Sequence, residues 1–247
     1  MDKAPLISVI TVTFNAEKEI DSTLNSLKRQ SYQDFEHIVI DGDSKDSTVS
    51  KIRDARLPNS VILSEPDRGL YDAMNKGLRL ASGKYVIFLN AGDAFFDDET
   101  LARYKQAAQS DYDIIYGDTW VVDENNKILK PRHLSVPEKL DFRSFSKGML
   151  ICHQAFMVKK TLTSPYNTGY RFSADFDWCI ECIKKSSPEN CCNLNGVTVR
   201  FLHAGTTDKN KIKSLKERFH IMTRHYGLPL TLLKHLGFIF RALRRRF

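Results

Sequence analysis

The sequence has few of the features that mark secreted, membrane-spanning or repetitive proteins. Its five cysteines are an odd number and four of them crowd into one segment, which excludes the disulfide framework of a small secreted domain. No long apolar stretch with a cleavage site follows Met1, so we expect no signal peptide and a cytoplasmic location. The 8 prolines and 12 glycines are scattered, so no interdomain linker is predicted.

The cysteine segment leaves two interpretations open. Cys179 and Cys182 have the C-x2-C spacing of a zinc site, and Cys191 and Cys192 follow them. However, adjacent cysteines rarely bind one ion together, and the segment holds no histidine. The first pair also lies in a predicted helix, where small apolar side chains are commonly buried. We therefore favour burial over zinc binding.

Positive charge is concentrated at one end of the chain. The net charge is +7, yet residues 208–247 hold 11 lysines and arginines against 2 acidic residues. The rest of the chain is therefore slightly acidic, which argues against a body that binds nucleic acid. The asymmetry predicts a tail with a partner of its own.

Short apolar runs alternate with amphipathic segments in the N-terminal part of the chain. Runs rich in β-branched and aromatic residues, which predict strands, lie at residues 6–14, 35–40, 61–63 and 85–89. Helical spacing separates them, as at Ile20, Leu24 and Leu27. Strands alternating with helices predict a Rossmann-like α/β fold, with an open, mostly parallel sheet and helices on both faces.

The pattern becomes less regular beyond residue 110. We predict strands at 114–116, 119–122 and 197–202, a turn at 124–127 and a helix at 172–184. At 247 residues the chain is long enough for one large core. We expect a single catalytic domain over residues 1–205 and a helical, basic appendage over residues 206–247.

Polar residues follow each of the first four predicted strands. They are Thr13 and Asn15, Asp41 and Asp43, Asp67 and Arg68, and Asn90 and Asp93. Ligands of open parallel sheets bind at the carboxyl ends of the strands, where these side chains would meet. Carboxylates gathered there repel one another unless a cation joins them. A divalent metal that holds a diphosphate is the economical explanation, and helix capping is the alternative for each aspartate taken alone.

Four segments carry a resemblance to a known family. They are residues 8–15, 40–48, 65–77 and 89–93, and they occur in order within residues 5–205. Together they resemble family 2 glycosyltransferases with the GT-A fold, in particular bacterial enzymes that build capsule, colanic-acid-like or O-antigen repeat units. The resemblance implies a nucleotide-sugar donor, a saccharide or lipid-linked acceptor and a bound Mn2+ or Mg2+.

The resemblance also implies a substrate-binding set. Its members are Thr13, Asn15, Asp41, Asp43, Asp67 and Arg68. Thr13 and Asn15 would line the nucleotide pocket. Asp41 and Asp67 would hold the base and the ribose, and Arg68 would lie toward the diphosphate. Gly42 stands where many relatives have a second aspartate, so the sequence departs from the family pattern at the proposed base-binding position.

The metal site departs from the family pattern as well. Asp93 matches the last aspartate of the DxD-type motif, which binds the metal, but Gly92 stands where many members have another aspartate. One carboxylate must therefore bear more of the metal binding. His203 ends the last predicted strand and is a second candidate ligand.

A catalytic base is expected in the second half of the chain. Asp175 opens a predicted helix and matches the family's base, which removes the proton of the acceptor hydroxyl. Asp177 lies two residues further on and is the alternative base. A helix N-terminus favours acidic residues in any case, so both could be structural. His153 resembles a family residue near the acceptor and the donor sugar.

Two other functions remain open. Asp41 with Asp43 and residues 92–97 resemble the DxD and GDxxxD motifs of haloacid-dehalogenase-type phosphatases. However, the two motifs lie too close together to hold the sheet that separates them in those enzymes. A non-catalytic nucleotide-sugar-binding module is the other alternative, because Gly92 replaces a paired aspartate.

The C-terminal tail has an apolar stripe at helical spacing. The stripe consists of Leu232, Leu233, Leu236, Ile239, Phe240, Leu243 and Phe247. Charges interrupt it, so it is too short to span a bilayer but suits a helix lying in the interface of an anionic membrane. We expect a peripheral location on the inner face of the cytoplasmic membrane. The alternative is a stripe that packs on the catalytic domain, and nucleic acid is not an expected partner.

Overall fold

The computed structural model describes residues 4–203 and 210–244, without side chains at Lys211 and residues 239–244. The strands are β1 (Ile7–Thr13), β2 (Glu36–Asp41), β3 (Ser60–Ser64), β4 (Tyr85–Phe88), β5 (Ala94–Phe95), β6 (Ile114–Val122), β7 (Ile128–Pro131), β8 (Phe156–Lys159) and β9 (Cys191–Leu202). The helices are α1 (Ile20–Lys28), α2 (Thr48–Ala55), α3 (Leu70–Leu80), α4 (Thr100–Gln109), α5 (Ala174–Lys184), α6 (Lys211–Tyr226) and α7 (Leu228–Arg244).

All nine strands form one mixed sheet. Its order is β3-β2-β1-β4-β8-β6-β9-β5, and β7 pairs with β6. The first four strands are parallel to one another, β8 is antiparallel to its neighbours, and β6 and β9 are parallel. Every residue of β1 is buried, because helices cover both faces of this half of the sheet. The predicted α/β class is confirmed.

The second half of the sheet differs from the prediction in three places. β6 is one continuous strand, although Gly117 and Asp118 indicated a break, because those residues form an irregularity within its pairing with β9. β9 begins at Cys191 rather than Val197, since its polar first residues pair with the start of β6. The two-residue strand β5, which pairs with β9, was not predicted. The predicted turn before β7 is confirmed.

The cysteines follow the burial interpretation. Cys179 and Cys182 are fully buried on α5. Cys191 and Cys192 are consecutive residues of β9, so their side chains point to opposite faces of the sheet. Among the described residues, no cysteine belongs to a group with metal-binding geometry.

The C-terminal tail begins with a helix that packs on the catalytic core. Ser214 of α6 hydrogen-bonds Ser173 just before α5, with 2.9 Å between the two hydroxyl oxygens. The predicted domain boundary at residue 205 lies outside the described residues. Within the described parts of the chain, every helix is too short or too polar to cross a membrane.

His37 is buried at the centre of the parallel half of the sheet. Its Nε2 shares a hydrogen bond of 3.0 Å with Thr11 on β1, and its Nδ1 lies 3.4 Å from the hydroxyl of Ser60 on β3. Burial lowers the pKa of His37 from 6.5 to about 4. The imidazole is therefore neutral in the folded protein over a pH range in which the unfolded chain binds a proton.

We predict that His37 makes folding sensitive to acid. A lowered pKa means that stability is complete above pH 6.5 and is lost as the pH falls toward 4. Between pH 7.5 and pH 4, urea unfolding should lose about 3 kcal/mol more in the wild type than in His37→Gln, which has no titrating ring. Equal losses in the two proteins would show that His37 is protonated without cost.

Candidate active site

The carboxyl ends of the parallel strands form one polar edge, and Asp41 organises it. The Asp41 carboxylate is fully buried and accepts hydrogen bonds from the backbone N–H of Ser44 at 2.9 Å and from its hydroxyl at 2.5 Å. The Ser64 hydroxyl donates a third bond of 2.7 Å. Asp41 therefore fixes the loop after β2, and a contact from it to a nucleotide base stays a prediction.

Asn15 and Asp43 give this edge its shape. Both adopt left-handed backbone conformations, with φ of 47° and 68°, which asparagine and aspartate tolerate better than other non-glycine residues. The side chain of Asn15 accepts a 2.9 Å hydrogen bond from the N–H of Lys45, so the loops after β1 and β2 are joined. Asp43 forms a 2.7 Å ion pair with the Lys45 ammonium at the surface.

The loops after β2 and β3 meet at Gly42 and Asp67. A Cβ atom at Gly42 would lie 2.6 Å from Asp67 Oδ2 and 3.2 Å from the Phe14 ring. The other Asp67 oxygen accepts a 2.7 Å hydrogen bond from the N–H of Gly69, which precedes α3. A side chain at residue 42 would therefore require the Asp67 carboxylate to move from its hydrogen-bonded position.

Asp93 is the buried carboxylate of the edge. Its Oδ1 accepts a 3.0 Å hydrogen bond from the N–H of Leu202 at the end of β9. Its backbone carbonyl accepts a 2.7 Å bond from Thr23 on α1, which also holds the N–H of Gly92 at 3.0 Å. Burial raises the pKa of Asp93 to about 7, against the smaller opposing effects of hydrogen bonds from Leu202 and Gln154.

Gly92 is required by the turn that presents Asp93. Its φ is +95°, a region that L side chains rarely adopt. A Cβ atom there would also lie 2.7 Å from Leu202 Cδ2. The departure from the family pattern at this position therefore follows from the contact between the turn and β9.

The residues around Asp93 fit a divalent cation. A buried carboxylate whose pKa is raised to about 7 gains most from a neighbouring positive charge. The Asn90 Oδ1 is buried without a hydrogen-bond partner in the described parts of the chain, as is the hydroxyl of Thr13. Carboxylate and amide oxygens are ligand types that suit Mg2+ or Mn2+, and His203, one residue after Leu202, stays a predicted ligand.

Asp175 lies opposite this edge, at the start of α5. The hydroxyl of Tyr71, on the first turn of α3, donates a 3.0 Å hydrogen bond to Asp175 Oδ1. The loop that carries Asp67 and Arg68 leads directly into that turn. The structure therefore brings the predicted base next to the predicted donor-binding segment.

Asp177 faces another direction. Residues two apart on an α-helix are separated by about 200° around its axis, and Asp177 contacts α6 instead. His225 donates from Nε2 to Asp177 Oδ1 at 2.6 Å and accepts a 2.6 Å hydrogen bond from Lys184 at Nδ1. Arg224 lies 3.5 Å from the other Asp177 oxygen. Asp177 is thus part of the attachment of α6 to α5.

This cluster also has the ligand spacing of a metal site. Asp177, Glu181 and His225 offer ligand atoms within 4.8 Å of one another, the one such group among the residues that the structure describes. However, Lys184 and Arg224 already supply positive charge there. The cluster is therefore an ion-pair network that joins two helices.

His153 is buried among aromatic rings beside Asp175. Its Nε2 shares a 2.7 Å hydrogen bond with the Tyr166 hydroxyl, while its Nδ1 has no partner among the described residues. Burial lowers the pKa of His153 to about 4, so the ring is neutral at physiological pH. Tyr166 stacks on Trp178 with 4.9 Å between ring centroids. A neutral, rigidly held imidazole can orient a hydroxyl group but carries no charge.

Helix α6 fixes the segment that leads into α5. The Glu217 carboxylate accepts hydrogen bonds of 2.8 Å from the backbone N–H groups of Arg171 and Phe172. Sequence reasoning did not identify Glu217 or Tyr71 as part of the site, because each lies far along the chain from Asp175. The only signal for Tyr71 was its place within the segment 65–77.

The family follows from a comparison with known proteins. Residues 8–175 match the family described as Glycosyl transferase family 2. The chain belongs to this family. It is accordingly a glycosyltransferase, and the phosphatase alternative raised by the two aspartate motifs is wrong.

Two curated relatives of this glycosyltransferase extend over nearly its whole length. A PGL/p-HBAD biosynthesis glycosyltransferase of Mycobacterium bovis (strain BCG / Pasteur 1173P2) is 31% identical, and the match covers 95% of this chain and 87% of the relative. The Escherichia coli enzyme WfgD, a UDP-Glc:alpha-D-GlcNAc-diphosphoundecaprenol beta-1,3-glucosyltransferase, is 23% identical, with coverages of 94% and 90%.

Solved structures show the same fold. Residues 1–349 of TarS from S. aureus match with a TM-score of 0.72 at 18% identity, over 94% of this chain and 72% of that chain. The mannosyltransferase PcManGT from Pyrobaculum calidifontis, solved in complex with GDP-Man and Mn2+, matches with a TM-score of 0.62 at 18% identity, over 95% and 69%. The predicted GT-A class of this glycosyltransferase is confirmed.

We predict that a second aspartate cannot be restored to the metal motif. Gly92→Asp forces a side chain against Leu202 from a backbone region that costs about 1–3 kcal/mol for a non-glycine residue. It should lower the unfolding free energy by at least that amount. The control Gly196→Asp adds the same charge where the nearest heavy atom to a Cβ lies 3.8 Å away. A Gly92→Asp protein as stable as this control would contradict the account of the turn.

Proposed function

We propose that this family 2 glycosyltransferase moves a sugar from a nucleoside-diphosphate sugar to a hydroxyl of a lipid-linked saccharide acceptor. The observation that carries the proposal is the 3.0 Å hydrogen bond between Tyr71 and Asp175. It brings a carboxylate of α5 to the first turn of α3, which follows directly on Asp67 and Arg68. The proposed base thereby lies next to the proposed donor-binding residues, as a transfer reaction needs.

Unpartnered polar atoms support the donor assignment. The hydroxyl of Thr13 and the amide oxygen of Asn90 are buried at the ends of neighbouring strands without partners in the described parts of the chain. Buried polar groups are rarely left unpaired, so these atoms favour a ligand that completes them. TarS has been solved with UDP and with UDP-GlcNAc, and PcManGT with GDP-Man. A nucleotide-sugar donor bound along this edge therefore agrees with both the chemistry and the relatives.

Asp175 is the proposed base of the transfer. It would take the proton of the acceptor hydroxyl as that oxygen attacks the anomeric carbon from the side opposite the leaving nucleotide. A single displacement of this kind inverts the anomeric configuration. Asp175 lies in the first turn of α5. His153, neutral and fixed by Tyr166, would orient a sugar hydroxyl beside it.

The proposal includes a divalent cation bound beside the diphosphate of the donor. Asp93, Asn90 and His203 are the residues that would hold Mn2+ or Mg2+. When bound, the ion neutralises negative charge on the leaving diphosphate. Arg68 would add a second positive charge on the same side.

We propose that the enzyme binds its acceptor at the surface of an anionic membrane. WfgD acts on an acceptor linked to diphosphoundecaprenol, as its name states. One face of α7 packs inward through Thr231, which is fully buried, and through His235, whose ring lies 5.0 Å from that of Phe219 on α6. Leucines of the predicted stripe point away from this contact and are 49–64% exposed: Leu232, Leu233 and Leu236. The stripe residues Ile239, Phe240, Leu243 and Phe247 lie outside the described side chains.

The proposal therefore combines the two interpretations of the tail, packing on the rest of the protein and binding to a membrane surface. Helix α7 rests on α6, and its outer face still offers apolar side chains beside the basic end of the chain. Such a face suits the boundary between head groups and acyl chains, where basic residues attract anionic lipids. A peripheral location on the inner face of the cytoplasmic membrane follows from this proposal.

The first experiment identifies the donor. A panel of UDP-, GDP- and dTDP-sugars is incubated with the protein and Mn2+ or Mg2+, without acceptor, and nucleotide release is measured. We expect slow release from one sugar class and a loss of at least about a hundredfold with EDTA or in Asp93→Asn. The control Asp98→Asn removes an exposed carboxylate that pairs with Arg29. Full activity in EDTA would remove the metal from the mechanism, and donor binding without any turnover would favour the non-catalytic alternative.

The second experiment distinguishes the two aspartates of α5. Asp175→Asn keeps the shape of the side chain but cannot accept a proton, so kcat should fall about a hundredfold or more with little change in donor KM. Asp177→Asn should instead lower the melting temperature, because it weakens the bond to His225. If Asp177→Asn abolishes turnover while Asp175→Asn is active, the base is assigned to the wrong residue.

The third experiment tests the membrane surface. Substituting Leu232, Leu233 and Leu236 together by serine should weaken binding to anionic vesicles at least tenfold, because each leucine loses apolar area that the membrane would cover. The matched control substitutes three leucines and isoleucines that are 41–48% exposed elsewhere: Leu80, Ile128 and Leu129. Binding should also weaken as salt is raised from 0.1 M to 0.5 M. Equal binding of both variants would exclude α7 as the anchor.

A further inference from the structure

Tyr71 is the residue that joins the two halves of the candidate site. It is the second residue of α3, directly after the loop that carries Asp67 and Arg68, and it is only 6% exposed. Its hydroxyl donates to Asp175 Oδ1 at 3.0 Å, across 104 residues of sequence. Its ring stacks on that of Tyr166, with 5.8 Å between centroids and 23° between the planes.

The surroundings of Tyr71 hold its ring in one position. Tyr166 lies between Tyr71 and Trp178, and its backbone is fixed by two hydrogen bonds with the side chain of Asn75, of 3.0 and 2.7 Å. Asn75 belongs to the same helix as Tyr71, one turn further on. The phenol therefore has little freedom, and its hydroxyl meets the Asp175 carboxylate in a defined direction.

We propose that Tyr71 is a positioning residue for the catalytic base: its hydroxyl holds the Asp175 carboxylate in one orientation, next to the loop that carries Asp67 and Arg68. This inference rests on the proposed function, in which Asp175 removes the acceptor proton. A hydrogen bond donated to a carboxylate favours the ionised form, which is the form that a general base needs. It also restricts the carboxylate to one rotamer, and small displacements of a catalytic group are costly.

Tyr71 remains a hydrogen-bond donor over the whole range in which the enzyme works. Burial, and then the nearby charge of Asp175, raise the pKa of Tyr71 well above its usual value of 10. The phenol therefore never becomes an acceptor that would repel the carboxylate. It has no proton to give up in the reaction, so its role is to hold Asp175 and not to replace it.

Four further titratable groups in the described parts of the chain interact electrostatically with Asp175. They are Arg132, His153, Tyr166 and Cys179. Burial lowers the pKa of His153 to about 4 and raises the pKa values of Tyr166 and Cys179 well above their usual ranges, so all three are neutral at pH 7. Arg132 is charged throughout and is unaffected by a change at Tyr71. A change in the pH profile of the enzyme on altering Tyr71 is therefore specific to the lost hydrogen bond.

The experiment is a pH profile of kcat for metal-dependent donor turnover by the full-length protein. Tyr71→Phe removes one oxygen atom and keeps the ring. Its acidic limb should move upward by about one pH unit, because the ionised carboxylate loses a donor. At pH 7, kcat should fall about tenfold with the donor KM unchanged. Replacing Tyr71 by 3-fluorotyrosine, a stronger donor of the same shape, should move the limb in the opposite direction.

The matched control is Tyr85→Phe. Tyr85 is also fully buried and donates its hydroxyl to the carbonyl of Tyr112 at 2.6 Å, at the end of β4 that lies away from the site. This variant should lose stability while its pH profile stays that of the wild type. If Tyr71→Phe behaves in the same way, with lowered stability and an unmoved limb, Tyr71 is merely structural and the inference is overturned.

Asp175→Asn separates this inference from the proposed function. If Asp175→Asn turns over as fast as the wild type, the base is wrongly assigned and the inference fails with it. If Asp175→Asn is inactive and Tyr71→Phe retains the wild-type limb, only the inference about Tyr71 is overturned. We expect Asp175→Asn to lose turnover and Tyr71→Phe to have a shifted limb. In that case the double variant should lose no more kcat than Asp175→Asn alone, because the two side chains act as one unit.

Discussion

The contact between the first turns of α3 and α5 is the constraint on which the site depends. Tyr71 and Asp175 are 104 residues apart in sequence, yet 3.0 Å separates their oxygen atoms. The parallel half of the sheet positions α3 and the loop that carries Asp67 and Arg68. The mixed half of the sheet and α6 position α5. Without this contact the proposed base would have no fixed relation to the loop that carries Asp67 and Arg68.

The two glycines that depart from the family pattern have the same physical origin. Gly42 lies against the carboxylate of Asp67, and Gly92 combines a φ of +95° with a close approach to Leu202. In each case a Cβ atom would meet a side chain from another strand end or loop. Burial at these packed strand ends raises the pKa of Asp93 to about 7.

Local patterns predicted the first half of the molecule well and the second half less well. Strands β1 to β4 and their helices were predictable from sequence. Buried parallel strands are continuous apolar runs, and the apolar residues of amphipathic helices repeat every 3.6 residues. The early start of β9 was not predictable, because its polar residues are stabilised by pairing with β6. The different directions of Asp175 and Asp177 follow from helix geometry once the helix is known. That Asp177 contacts His225 and that Glu217 fixes the start of α5 are long-range contacts, which no local pattern carries.

The stereochemistry of transfer tests the central claim most directly. If the base deprotonates an acceptor that attacks opposite the leaving diphosphate, the reaction is a single displacement. The measurement is the anomeric configuration of the newly formed linkage, read by NMR from the coupling of its anomeric proton, with a donor of known configuration. This account predicts inversion, so that an α-linked donor sugar gives a β-linked product. Retention of configuration would contradict it, since Asp175 would then have no acceptor proton to remove in a single step.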